Sequence, residues 1–108
     1  MPTFVTIGYG DQDGYEATDP AVRDAAHEHD AVVARTAVRV GTAGTPVQVR
    51  NHDAAGTTTT PGPFLRSDLP VAGFAVIEAA DLDEAVAIAA KTPCAVARGV
   101  VEVWPISS

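Results

Sequence analysis

Between Thr60 and Ile106 the chain runs turn, strand, helix, strand, and that succession constrains what everything before it can fold into. Gly62-Pro63-Phe64 marks a loop, because proline fixes φ and has no N–H to give, while glycine takes backbone angles closed to other residues. Residues 73–79 (GFAVIEA) suit a pleated, packed surface and are too few for a helix between such neighbours, which predicts a central strand. Asp81 then offers an N-cap carboxylate with Glu84 at the capping-box position, where a helix N-terminus favours negative charge. Leu82, Ala85, Val86 and Ala89 make the apolar stripe of the helix that follows, and Pro93 is expected to end it soon after Lys91. Residues 100–104 (VVEVW) return as a strand.

Upstream, residues 3–9 (TFVTIGY) predict a first strand and residues 10–14 a polar turn after it. Asp19 caps a helix with Pro20 in its first turn, where a missing N–H is harmless, and the periodicity carries that helix to about Thr36. Its expected inward stripe is Val22, Ala25, Ala26, His29, Val32, Val33 and Thr36. That puts His29 on the buried face and His27, roughly 200° around the helix, elsewhere. Residues 37–41 and 47–50 are strand-prone, residues 51–56 (NHDAAG) are a hairpin signal, and residues 57–60 are β-prone through their branched side chains.

A β-α-β-β-β-α-β order with both helices on one face of an antiparallel sheet is an α+β sandwich of the ferredoxin-like type, in a single domain spanning residues 1–108. The strands at 74–79 and 100–104 are apolar on both sides, so both sheet faces need cover. Helices supply one face. The other falls to a second subunit, and at 108 residues burial within one chain is modest enough for a homodimer to help.

Composition narrows the partners. The formal charge of −7, from 7 Lys and Arg against 14 Asp and Glu, argues against a broad nucleic-acid or anionic-membrane surface, since phosphate neutralisation needs clustered cations. No run approaches the roughly 18 apolar residues of a membrane span, and Met1-Pro2 leads straight into a strand with no basic export segment. Cys94 is the single cysteine, which excludes an intramolecular disulfide and a cysteine-built zinc cage and fits a reducing cytoplasm. His27 and His29 diverge around a helix and do not chelate one ion, and no glycine-rich phosphate loop follows a strand. No metal and no cofactor is expected.

Gly62, Pro63, Phe64, Gly73 and Phe74, with Leu82-Asp83-Glu84-Ala85, Val101-Glu102-Val103 and Pro105, resemble the YCII-related proteins of the DGPF (DGPFAETKE) subgroup. Tyr9-Gly10-Asp11 matches that group's Tyr-Gly-Asp, so the resemblance covers most of the chain. It implies the same ferredoxin-like fold, and dimers in which the sheet of a second subunit leaves a cleft between sheet and helices. Glu28-His29 matches a Glu-His pair of the relatives, and in the wider group a helix histidine is proposed to work with an aspartate as acid and base. Pro61 stands here in place of the DGPF aspartate, Thr92 in place of an aspartate of other YCII proteins, and Trp104 in place of the usual arginine.

His29 is the leading candidate for proton transfer, since an imidazole suits that task near neutral pH; a hydrogen-bonded core histidine is the structural alternative. Asp11, Asp68, Glu78 and Glu102 are the acids that could accompany it; Glu102, which alternates with Val100 and Trp104 on one strand face, is taken as the catalytic partner, with an ion pair to an arginine as the structural alternative. Tyr9, Asp11, Phe64, Phe74, Val76 and Trp104 are the expected substrate contacts, with Trp104 offering a flat surface either to an aromatic or polycyclic ligand or to a dimer partner. Two functions compete. One is a cofactor-independent isomerase, lyase or cyclase acting on a carbonyl or polycyclic small molecule such as a secondary metabolite, in line with a resemblance to a group that includes lactone-type dehalogenating enzymes. The other is a non-catalytic dimeric module for a ligand or regulatory partner, suggested by the two replaced aspartates and by relatives encoded beside sigma factors.

Overall fold

β1 (Thr3–Tyr9) pairs antiparallel with both β5 (Val71–Glu78) and β6 (Val100–Ile106), and β2 (Arg39–Thr42) joins the far side of β5, giving the order β2-β5-β1-β6. The computed structural model describes residues 1–107. Register fixes the faces. Phe4 lies opposite Ile77 and Pro105, and Thr6 opposite Ala75 and Val103, so these side chains share one face. Val5 with Val76 and Trp104, and Ile7 with Phe74 and Glu102, share the other.

The helices α1 (Gln12–Glu16), α2 (Pro20–Thr36), α3 (Leu82–Ala89) and α4 (Pro93–Val96) complete the domain, and the core of Phe4, Val33, Ile77, Ala79 and Ala85 lies between sheet and helices. This is the ferredoxin-like α+β sandwich that the order of elements predicts. Its second sheet face is open in the single chain, where Phe74 and Trp104 remain 48% and 54% exposed.

Local chemistry explains where the helices start. The Asp19 carboxylate accepts from the Ala21 N–H at 2.8 Å ahead of Pro20. At α3 the Asp81 carboxylate accepts from the Glu84 N–H at 2.9 Å, and the Glu84 carboxylate reaches back to the Ala80 N–H at 3.2 Å. The first bond satisfies a backbone donor that the first turn leaves without a helical partner, and the second, one residue before the N-cap, ties down the incoming chain.

The structure departs from the expectations in four places. Residues 12–16 form α1 and not a turn, because Asp11 caps it by accepting from the Gly14 N–H at 2.8 Å. Pro93 does not terminate α3, which ends at Ala89; it opens α4, since a proline at the first helical position lacks only an N–H that has no helical partner anyway. The buried line of α2 is narrower than the apolar periodicity, with Ala26 and Val33 buried while Val22 and Val32 stay 45% and 51% exposed. Finally, β3 (Val47–Arg50) and β4 (Thr58–Pro61) pair only with each other, as a ribbon closed by a tight turn at His52–Ala54, and do not join the main sheet.

Candidate functional site

Sheet and helices do not close completely on each other. They leave a cavity of about 320 Å³ lined mostly by apolar side chains, near the lower end of the range typical of small-molecule pockets. Its floor is shallow because Gly8 and Gly73 face each other across β1 and β5. Both glycines are required by close approaches. A Cβ on Gly8 would lie 2.9 Å from the Cys94 sulfur, and one on Gly73 would lie 2.8 Å from the Gly41 carbonyl oxygen. Val33 of α2, Ile88 and Ala89 of α3 and Cys94 of α4 bound the space from above.

The titratable side chains at the cavity are His27 and Asp30, from α2, with Cys94. Residues three apart on a helix project to one side, so His27 and Asp30 reach the cavity together. The His27 Nε2 lies 2.8 Å from the Tyr15 hydroxyl, and the Arg23 guanidinium stacks 4.6 Å above the Tyr15 ring, which ties the imidazole to α1. Burial pushes the Cys94 thiol up from its ordinary pKa, and the negative charge of Asp30 pushes it further. Cys94 therefore stays a protonated thiol, a weak donor with little nucleophilic character.

His29 has a different place. Its Nε2–H donates to the Ile88 carbonyl at 2.8 Å, linking α2 to α3, and its side chain does not line the cavity. At about 100° per residue, the buried line through Ala26 and Val33 leaves His29 roughly 60° to one side and His27 roughly 100° to the other, with Asp30 between that line and His27. The cavity opens on the His27 side. His27 is exposed and His29 half-buried, in keeping with the helix periodicity, and what the sequence does not make legible is that the cavity opens toward the His27 side.

On the opposite sheet face the Tyr9 hydroxyl donates to a Glu102 oxygen at 2.5 Å. Tyr9 faces Val100 in the ladder, so Glu102 is its diagonal neighbour on the same face. The Tyr9 pKa is pushed up to about 12, first by the hydrogen bond to the carboxylate, then by burial and by the carboxylate's charge. The sequence points to Glu102 through strand alternation and to Tyr9 through its Tyr-Gly-Asp match, without pairing them.

The expected cleft residues therefore separate. Tyr9, Val76, Glu102 and Trp104 belong to the open face with Phe74, and the sheet stands between Glu102 and His29. Phe74 alone among these also borders the cavity, at the β2–β5 edge. Asp11 caps α1, and Phe64 is 78% exposed beyond the ribbon, with the Arg50 guanidinium 5.8 Å from its ring centre.

A four-stranded antiparallel sheet with helices on one face defines a ferredoxin-like α+β domain, with a mostly apolar cavity between its layers. Residues 4–108 match the YCII-related domain, and the chain belongs to that family. No curated protein matches it. Among the described residues no helix is long and apolar enough to cross a membrane, and no three His, Cys, Asp or Glu side chains come together as a metal-holding group.

Proposed function

We propose that the chain is a cofactor-independent enzyme that moves a proton on a carbonyl or polycyclic small molecule held in the interlayer cavity, as an isomerase, lyase or cyclase does. The observation that supports this most strongly is that the exposed His27 and the half-buried Asp30, three residues apart on α2, both line a mostly apolar cavity. His27 takes the proton and returns it. Asp30, three residues along on the same side of α2, presents its carboxylate to the same cavity. His29 acts as a positioning residue, holding α3 against α2 through the Ile88 carbonyl.

The working unit in this reading is a cytoplasmic homodimer. Phe74, Val100, Trp104 and Ile106 leave large apolar area on one sheet face, which a second copy's sheet covers.

Incubation in heavy water with small-molecule extract from the cells that make the protein tests the reading, with mass spectrometry reporting which compounds gain deuterium or lose a leaving group. Native protein is expected to alter at least one carbonyl compound, and His27→Gln to leave it unchanged. Equal conversion by His27→Gln refutes the assignment. A compound retained by the protein but never altered identifies a non-catalytic binding module instead.

A further inference from the structure

The cavity has a shape and a charge that choose among ligands. Its floor is made where Gly8 opposes Gly73 and Thr6 opposes Ala75, so peptide planes and short side chains form that surface. Ala89 and Pro93 add small groups to the lining. A planar ring fits such a slot better than a bulky or branched body does.

The charge is equally one-sided. Asp30 brings a carboxylate, and among the described residues no Lys or Arg lines the cavity beside it. The Cys94 thiol feels that negative charge. An anion entering here meets the like charge of the half-buried Asp30 at close range. A hydroxyl group, by contrast, finds in a carboxylate a strong hydrogen-bond acceptor.

We infer that the cavity takes flat, uncharged, hydroxyl-bearing aromatic or enolic molecules and turns away their carboxylate and phosphate relatives, with Asp30 setting the preference. This rests on the interlayer cavity being the substrate site. Binding the hydroxyl beside Asp30 also places the ligand within the reach of His27, one helical turn away.

The test is a titration of isotope-labelled full-length protein with naphthol and with the matching naphthoate, read at the backbone amides of Gly8, Gly73 and Ala89. Naphthol is expected to shift these amides and to bind at least about tenfold more tightly than naphthoate, the factor that about 1.4 kcal/mol of repulsion produces. Asp30→Asn removes the charge at nearly constant shape and is expected to bring the two affinities within about threefold of each other. Equal or tighter binding of naphthoate to the native protein at these amides overturns the charge preference while leaving the cavity as the substrate site. A preference for naphthol that Asp30→Asn does not change overturns the role of Asp30. If neither compound moves the cavity amides, the substrate-site reading falls, and the preference with it.

Discussion

Deleting one oxygen atom from Tyr9 measures what holds a carboxylate on the apolar open face. Tyr9→Phe removes the hydroxyl that donates to Glu102 at 2.5 Å and leaves the ring, only 5% exposed, where it is. A hydrogen bond to a charged acceptor contributes about 1.5–3 kcal/mol. Glu102 is half-buried, so water makes good part of the loss, and the expected cost is near the lower end, about 1.5 kcal/mol. For a domain of this size that is a fall in Tm of roughly 6–10 °C. The pH dependence gives a second signature. Tyr9 is raised to about 12 in the folded chain, against about 10 in the unfolded one. Between those values the unfolded chain has released a proton that the folded chain keeps, so stability falls as pH rises. The contribution is fully present below about pH 10 and is lost as pH climbs toward 12. Urea melts followed by Trp104 fluorescence, at neutral pH and in steps above about pH 9, read both effects. Native protein should weaken in alkali more steeply than Tyr9→Phe. A cost below about 0.5 kcal/mol together with coincident alkaline slopes would refute the reasoning.

Gly99→Ala should not fold: its Cβ would stand 2.1 Å from the Tyr9 carbonyl oxygen and 2.6 Å from that of Cys94, and neither is a side chain that can turn aside. Soluble yield and circular dichroism check this. Gly8→Ala should cost about 1–3 kcal/mol by overpacking against Cys94, and adding Cys94→Ala should recover most of it, a coupling that urea melts of the single and double variants measure. The proposed sheet-to-sheet dimer predicts that native protein sediments as a dimer and that Trp104→Glu, which puts a charge into the exposed apolar face, sediments as a monomer at the same concentration; a native monomer refutes the dimer, and an unchanged Trp104→Glu dimer moves the interface elsewhere.

What the sequence makes legible is what neighbours in the chain decide. Asp19-Pro20 and Asp81 with Glu84 place two helix starts because a cap is a contact within one turn. Strand alternation correctly groups Phe74 with Val76 and Glu102 with Trp104 on common faces. Which face the helices take is another matter, since both faces of β5 and β6 are apolar and only long-range packing chooses. The same holds for α2. Its apolar stripe is wider than the line it buries through Ala26 and Val33, and although periodicity places His29 nearer that line than His27, it does not say on which side of the line the cavity opens. The Tyr9–Glu102 pair needs the β1–β6 register, which joins residues 93 positions apart. α1 escapes notice because Gly14 weakens any helix prediction; it is there because a Cβ at that place would stand 2.7 Å from the Ala97 carbonyl oxygen.

Placing the chemistry in the interlayer cavity, with His27 as its proton carrier, is most directly tested by comparing His27→Gln with His29→Gln on the compound that the native protein converts. Glutamine at residue 29 can still donate to the Ile88 carbonyl, whereas glutamine at residue 27 cannot carry a proton. The predicted result is a loss of at least about 100-fold in kcat for His27→Gln, and a change within about threefold for His29→Gln. The opposite order, with His29→Gln inactive and His27→Gln close to native, contradicts the placement.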